Sequence, residues 1–250
     1  MMPLAAPTPC MSTVSEHYAS LLAPVYTWMA GGRDAAFALG ASDLGPVVHG
    51  TGFAIDLGAG FGMHTLPLAR TGWHVLAVDT SSLLLDELAA AATGLSVRTH
   101  HGDLLGFAAS LAPGERADLV LCMGDTLTHL EHPQHVGELA RTVATHLAPE
   151  GRFIATFRDY SRLPSGTARF IPVRADEGRI LTCFLEEFDD HVQVHDLLHE
   201  RSGATWTTRV SSYRKLRLSP DTAREAFEGV GLQTAIAPGP RGMVKLVAHA

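Results

Sequence analysis

Residues 54–69, AIDLGAGFGMHTLPLA, start as a buried apolar run, place three glycines in five positions and continue with helical spacing. Such a stretch reads as a strand, a sharp turn and a helix start. At the carboxyl end of the first strand of a doubly wound sheet, a ligand reaches the backbone only if the chain turns tightly and carries no bulk there. Gly58, Gly60 and Gly62 supply both properties, with Asp56 just in front, and the helix N-terminus that follows offers free N–H groups to electron-rich ligand atoms. The dinucleotide fingerprint G-x-G-x-x-G is not met, because Met63 stands where its last glycine belongs.

Working outward, apolar runs alternate with helical segments. Strands are expected at 53–57, 73–79, 95–99, 117–123 and 151–157, and helices at 62–71, 81–92 and 134–147. Runs such as WHVLAVD and ADLVLCM are apolar throughout, the pattern of parallel strands buried on both faces. The fold class is therefore α/β, a Rossmann-like doubly wound sheet. Upstream, Tyr18, Leu21, Leu22, Val25 and Trp28 recur at helical spacing, interrupted by Pro24, and predict a helical cap over 15–50. Downstream, segments rich in β-formers over 161–217 predict an antiparallel meander inserted before SPDTAREAFEGVG, where Ser219 caps a last helix. The core then comprises 51–160 and 218–250, closed by strands at 232–237 and 243–248. Residues 1–14 read as a loose leader.

Composition narrows the partners. The 250 residues are 46% hydrophobic with a formal net charge of −7 and no Lys/Arg-rich run, which argues against a nucleic-acid surface. No apolar stretch is long enough to span a bilayer. Cys10, Cys122 and Cys183 are odd in number and form no CxxC pair, so a disulfide framework is not expected and a cytoplasmic location fits. A homodimer is left open.

Acids recur at the expected strand ends. Asp79 closes the second strand, about twenty residues after the glycine turn, where a carboxylate can accept hydrogen bonds from ribose hydroxyls, those of a nicotinamide cofactor equally well. Asp103 follows the third strand, and Gly124 and Asp125 follow the fourth. Together DLGAGFGMHTLPLA, VLAVDTS, GDLL, ADLVLCMGDTLTHL and LAPEGRFIATF resemble, in order and spacing, the class I S-adenosylmethionine-dependent methyltransferases over roughly residues 50 to 157. The resemblance implies S-adenosyl-L-methionine as cofactor. It sets the turn, Gly58, Ala59, Gly60, Gly62 and Met63, against the methionine part and ribose, Asp79 and Thr80 at the ribose, and Asp103 or Leu104 at adenine. Asp56, Met123, Gly124 and Asp125 complete the donor site.

Within that family the chain is most similar in pattern to small-molecule enzymes of the glycine N-methyltransferase type. GDTLTHL resembles their Gly-Asn-Ser-x-x-His-Leu segment, with Asp125 in place of Asn. FRDYS resembles their His-Arg-Asn-Tyr segment, with Asp159 in place of Asn, and YTWMAGGRD resembles their cofactor lid. By that likeness Arg33 would reach the methionine carboxylate; the cap aromatics Tyr18, Tyr26 and Trp28 could close their ring faces over the sulfonium or serve as core packing. The implied activity is methyl transfer to a small molecule at nitrogen, with oxygen as an alternative and a non-catalytic cofactor-binding or sensing protein as another.

A methyl group already activated on sulfur needs an aligned nucleophile more than an elaborate catalytic group. Arg158 is the candidate anchor for a substrate carboxylate, Tyr160 a candidate for the acceptor pocket, and His129 a candidate proton acceptor. Two histidine trios, His129/His132/His135 and His191/His195/His199, raise a metal reading, but Pro133 breaks the helical register of the first, whose nearby acids have a better explanation, and the second has no cysteine or matched acid, so no metal is expected.

Overall fold

The computed structural model describes residues 13–250. The expected leader lies, except for its last two residues, outside them, as does Cys10. Thr13 and Val14 already belong to the cap. Thr13 opens α1 (Val14–His17) through a reciprocal pair in which its hydroxyl accepts the Glu16 N–H at 3.2 Å and its own N–H donates to the Glu16 carboxylate at 2.8 Å. Pro24 has no N–H to extend the ladder. The chain widens into one π turn over Tyr18–Leu22, tightens over Ala23–Val25, and resumes as α2 (Tyr26–Met29). Gly31 and Gly32, at φ +93° and +90°, then redirect it into α3 (Arg33–Leu44). The helical cap is thus several short pieces wrapped over the sheet.

The core follows as β1 (Gly52–Leu57), α4 (Thr65–Thr71), β2 (Trp73–Asp79), α5 (Ser82–Ala91), β3 (Val97–His101), β4 (Ala117–Cys122), α6 (Pro133–His146) and β5 (Leu147–Phe157). The meander is β6 (Phe170–Ala175), β7 (Arg179–Glu187), β8 (His191–Ser202) and β9 (Thr205–Leu216). After it come α7 (Pro220–Glu228), β10 (Gln233–Pro238) and β11 (Val244–His249). The seven-stranded sheet has the order β10-β11-β5-β4-β1-β2-β3, with β11 antiparallel to both of its neighbours. The four meander strands form a separate antiparallel sheet. β3 begins two residues later than expected: it is the sheet edge, only partly buried, and lacks the continuous apolar run that marks the central strands. Among the described residues no helix is long and apolar enough to cross a membrane.

Alternating side chains of the central strands serve two layers. Ile55, Leu57, Val78 and Val120 pack against Val136 and Leu139 of α6 and Phe227 of α7; Ala54, Leu119 and Leu121 pack against Leu44 of α3 and Leu68 of α4. The Phe153 and Phe227 rings stack with centroids 4.5 Å apart, which ties the last helix to the sheet. On the meander, Leu181 and Leu198 bury themselves against Leu21, Leu22 and Val25 of the cap. Replacing Phe227 with alanine empties a fully buried site under the sheet, so Phe227→Ala is expected to cost about 3–5 kcal/mol in urea unfolding, with loss of the whole fold rather than of the C-terminus alone.

Candidate active site

The strand order reverses beside β1, whose two neighbours are β4 and β2, and at the carboxyl ends of these strands lies a cavity of about 370 Å³. Its floor is the turn after β1. Gly58 and Ala59 donate their N–H groups to the Val78 carbonyl at 2.8 and 3.1 Å, and Gly60 donates to Asp79 Oδ2 at 2.8 Å. The glycines have separate reasons. A Cβ on Gly58 would stand 2.4 Å from Thr126 Cγ2, and one on Gly62 would stand 2.4 Å from Leu88 Cδ1. Both therefore answer to packing, and Gly62 does not line the cavity. Gly60 does line it, and a Cβ there would meet nothing nearer than Leu84 at 3.8 Å.

Asp79 sits at the rim of the turn, where its two oxygens accept from Gly60 N and Ser81 N, each at 2.8 Å. Each oxygen keeps a lone pair for a ligand hydroxyl. Burial raises the Asp79 carboxyl above its ordinary value, against the pull of these backbone donors. Asp103 caps the short helical turn after β3 by accepting the Leu105 N–H at 2.8 Å, and it lines the cavity together with Leu104 and Thr80. Met123 and Gly124 form the wall after β4, with Gly124 N held by the Thr156 hydroxyl at 2.8 Å.

The roof comes from the cap. Tyr18 and Tyr26 line the cavity with ring centroids 5.8 Å apart, and burial raises both phenols, which stay neutral. His129, on the short turn Thr126–His129, lies edge-on to Tyr18 at 5.7 Å and stacks on Tyr213 at 5.6 Å. Its proton affinity is pushed well below the ordinary imidazole value by burial first, then by the nearby Lys215 and His17. No hydrogen bond engages its ring nitrogens among the described residues. Met63 lines the same space, and so do His64, Glu131 and His135, which sequence reasoning did not select for a donor site. Their signal was proximity alone: His64 directly follows Met63, and the other two lie in LEHPQH just after His129. None of the lining residues is Lys or Arg.

Several expected site residues serve elsewhere. Arg33 is half-exposed and ion-pairs with Glu87 at 3.6 Å, outside the cavity. The Trp28 indole donates to Asp176 of the β6–β7 turn, and its ring lies under Arg174 and Arg179, so it joins cap to meander rather than covering a ligand. Asp56 is buried beneath the turn, accepting the Thr65 hydroxyl at 2.6 Å. Asp125 points away from the cavity into a buried knot with Lys215, Thr128 and Tyr160. Tyr160 is itself buried, donating to Asp125 Oδ2 at 3.0 Å, and burial together with that carboxylate raises its phenol far above the usual range. Arg158 sends only its backbone N–H inward, to Asp125 Oδ1 at 2.9 Å, while its side chain is exposed. All of these depend on contacts between distant segments, which a motif does not encode.

The second histidine trio does share one face of β8, but each ring has its own partner: Asp190 for His191, Glu186 and Ser212 for His195, Thr208 for His199. Among the described residues no three His, Cys, Asp or Glu side chains gather as a metal site.

Residues 54–151 match the family model described as a methyltransferase domain. No curated protein matches the chain by sequence. Among solved structures, the methyltransferase CcbJ from Streptomyces caelestis is similar over 94% of this chain and 98% of its own, with 20% identity and a TM-score of 0.76. The sugar N-methyltransferase KedS8 from Streptoalloteichus sp. is similar over 100% of this chain and 98% of its own, with 16% identity and a TM-score of 0.73. CalS10, an amino pentose methyltransferase from Micromonospora echinaspora solved with S-adenosylmethionine bound, has 19% identity over 90% of this chain and 94% of its own, with a TM-score of 0.70. Identities this low carry the fold, which is the class I methyltransferase fold.

The cavity fits S-adenosylmethionine, the molecule bound in CalS10. Its volume lies in the range of small-molecule sites, its floor is open backbone at Gly60, and Asp79 presents free lone pairs beside it. Asp79→Ala is expected to weaken S-adenosylmethionine binding at least tenfold by titration calorimetry of the folded variant. Because the Asp79 carboxyl is raised, wild-type affinity should fall on acidification earlier than an ordinary aspartate would allow. An unchanged Kd would remove Asp79 from the donor site.

Proposed function

We propose, from the premise that this chain is an S-adenosylmethionine-dependent methyltransferase of class I, that it methylates an amine nitrogen of a small molecule. The observation that carries this reading is His129: a neutral imidazole of low proton affinity, without a hydrogen-bond partner among the described residues, on the wall of the cavity. An amine attacks through its free lone pair and need not lose a proton as the bond forms. A hydroxyl must give up its proton, and so needs a stronger base than His129 provides. Two of the similar structures, the sugar enzyme named above and a glycopeptide N-methyltransferase, act at nitrogen, which agrees with this preference.

When bound, the cofactor supplies a methyl group already activated on a sulfonium. His129 accepts a hydrogen bond from an N–H of the incoming free amine and so aims its lone pair. Tyr18 and Tyr26, both neutral, present ring faces and hydroxyls to the cationic centre and keep water out. Bound there, the cofactor would give up its methyl group with the C–S electron pair leaving on sulfur as the C–N bond forms, and the nitrogen, then cationic, would shed a proton to water at the cavity mouth. Alignment supplies most of the rate.

With labelled methyl donor and a panel of amino sugars, amino acids, simple amines and phenols, transfer is expected to amines. His129→Ala should lower kcat about 10²-fold with donor Kd little changed. Transfer confined to phenols would move the reaction to oxygen, and silence across the panel with tight donor binding would favour a sensing role.

A further inference from the structure

His129 has neighbours that hold its turn in place from a different part of the chain. Lys215, on β9, is nearly fully buried; its ammonium pairs with Asp125 Oδ2 and lies 3.2 Å from the Thr128 hydroxyl and 3.4 Å from the Asp125 carbonyl. Its three protons thus reach three acceptors, all within four residues of His129. Asp125 stands in the left-handed region, at φ +77°, a conformation its surroundings must impose. Arg158 N and Thr128 Oγ1 complete the Asp125 Oδ1 shell at 2.9 and 3.0 Å. Beside Lys215 on the same inward face of β9, Tyr213 stacks on His129.

We propose that Lys215 is a positioning residue for methyl transfer: from the meander it clamps residues 125–128, and so sets the His129 ring at the cavity wall. The inference rests on the reading of His129 given above. It makes the inserted sheet part of the reaction rather than a cover over it. An unpaired buried carboxylate would be strongly destabilising, so Lys215→Met alone is a poor test. Lys215→Met combined with Asp125→Asn removes both charges and keeps a side chain at 125 that can still accept the Arg158 N–H.

The experiment compares that double variant with the wild type, in the presence and absence of His129→Ala. In a ¹H–¹³C spectrum the His129 ring protons, shielded by the stacked Tyr213, should shift in the double variant, assigned by their loss in His129→Ala. Donor Kd should stay within about twofold, while kcat for the best amine acceptor falls at least tenfold. In the His129→Ala background the same pair of changes should lower kcat no further, because both act through one ring. Unmoved ring resonances overturn the proposal whatever the rate does, and so does a loss of kcat that adds fully to that of His129→Ala. A moved ring together with a His129→Ala variant of undiminished kcat leaves the clamp standing and overturns the catalytic reading of His129 instead.

Discussion

The link from Gly60 N–H to the Asp79 carboxylate is the constraint on which the site depends. It joins the turn after β1 to the end of β2 at 2.8 Å, while the Val78 carbonyl holds the two preceding N–H groups. One side chain therefore fixes the floor of the cavity and presents itself to whatever lies on that floor. The next consequence is steric. Because Gly58 lacks a side chain, Thr126 can press against the turn, and Thr126 begins the short segment that ends in His129. The glycine turn and the His129 wall of the cavity are thereby in mechanical register, and a larger residue at 58 would separate them.

The roof is held by a different kind of interaction. Between cap and meander, His17 reaches Asp196 at 3.0 Å and Ser211 at 2.7 Å in a buried position, and Lys215 meets Asp125 nearby. A buried ion pair such as Lys215–Asp125 repays little of its desolvation as net stability. What buried polar contacts enforce is geometry, since each polar group tolerates few other arrangements once removed from water. Apolar contacts such as Leu181 and Leu198 against Leu21 and Val25 supply the adhesion. The charges decide where the adhering surfaces sit.

Much of the core was legible because its signals are local. Continuous apolar runs, three glycines and an acid about twenty residues later are each confined to a short stretch of chain. The cavity lining was legible at the glycine turn and the strand ends, where Ala59, Gly60, Asp79 and Gly124 stand, and less so where side chains come from elsewhere. Arg33, Trp28 and Arg158 belong to motifs that place them near the ligand edge, yet their partners Glu87 and Asp176, or the solvent, are chosen by contacts across the chain. Asp125 and Lys215 are 90 residues apart in sequence. One trace existed: alternation along β9 puts Lys215 on the same face as Tyr213, and a lysine in step with core residues asks for a buried partner.

The charge balance of the reaction explains why so much of the structure is devoted to holding things still. In the proposed transfer to an amine, a sulfonium enters with one positive charge and the methylated nitrogen then carries it, so the cavity would host a cation throughout rather than stabilise a charge that appears midway. Its lining meets that need without Lys or Arg, through Asp79, Asp103 and Glu131 and the faces of Tyr18 and Tyr26. Such a field favours reactant and product alike, and uniform binding does not by itself speed a reaction. What remains to distinguish the transition state is the line from nitrogen to carbon to sulfur. In the proposed reaction that line would be set by two points, the turn at Gly60 and the ring of His129, and a carboxylate stands behind each, Asp79 bonded to Gly60 N and Asp125 paired with Lys215 at the start of the His129 turn.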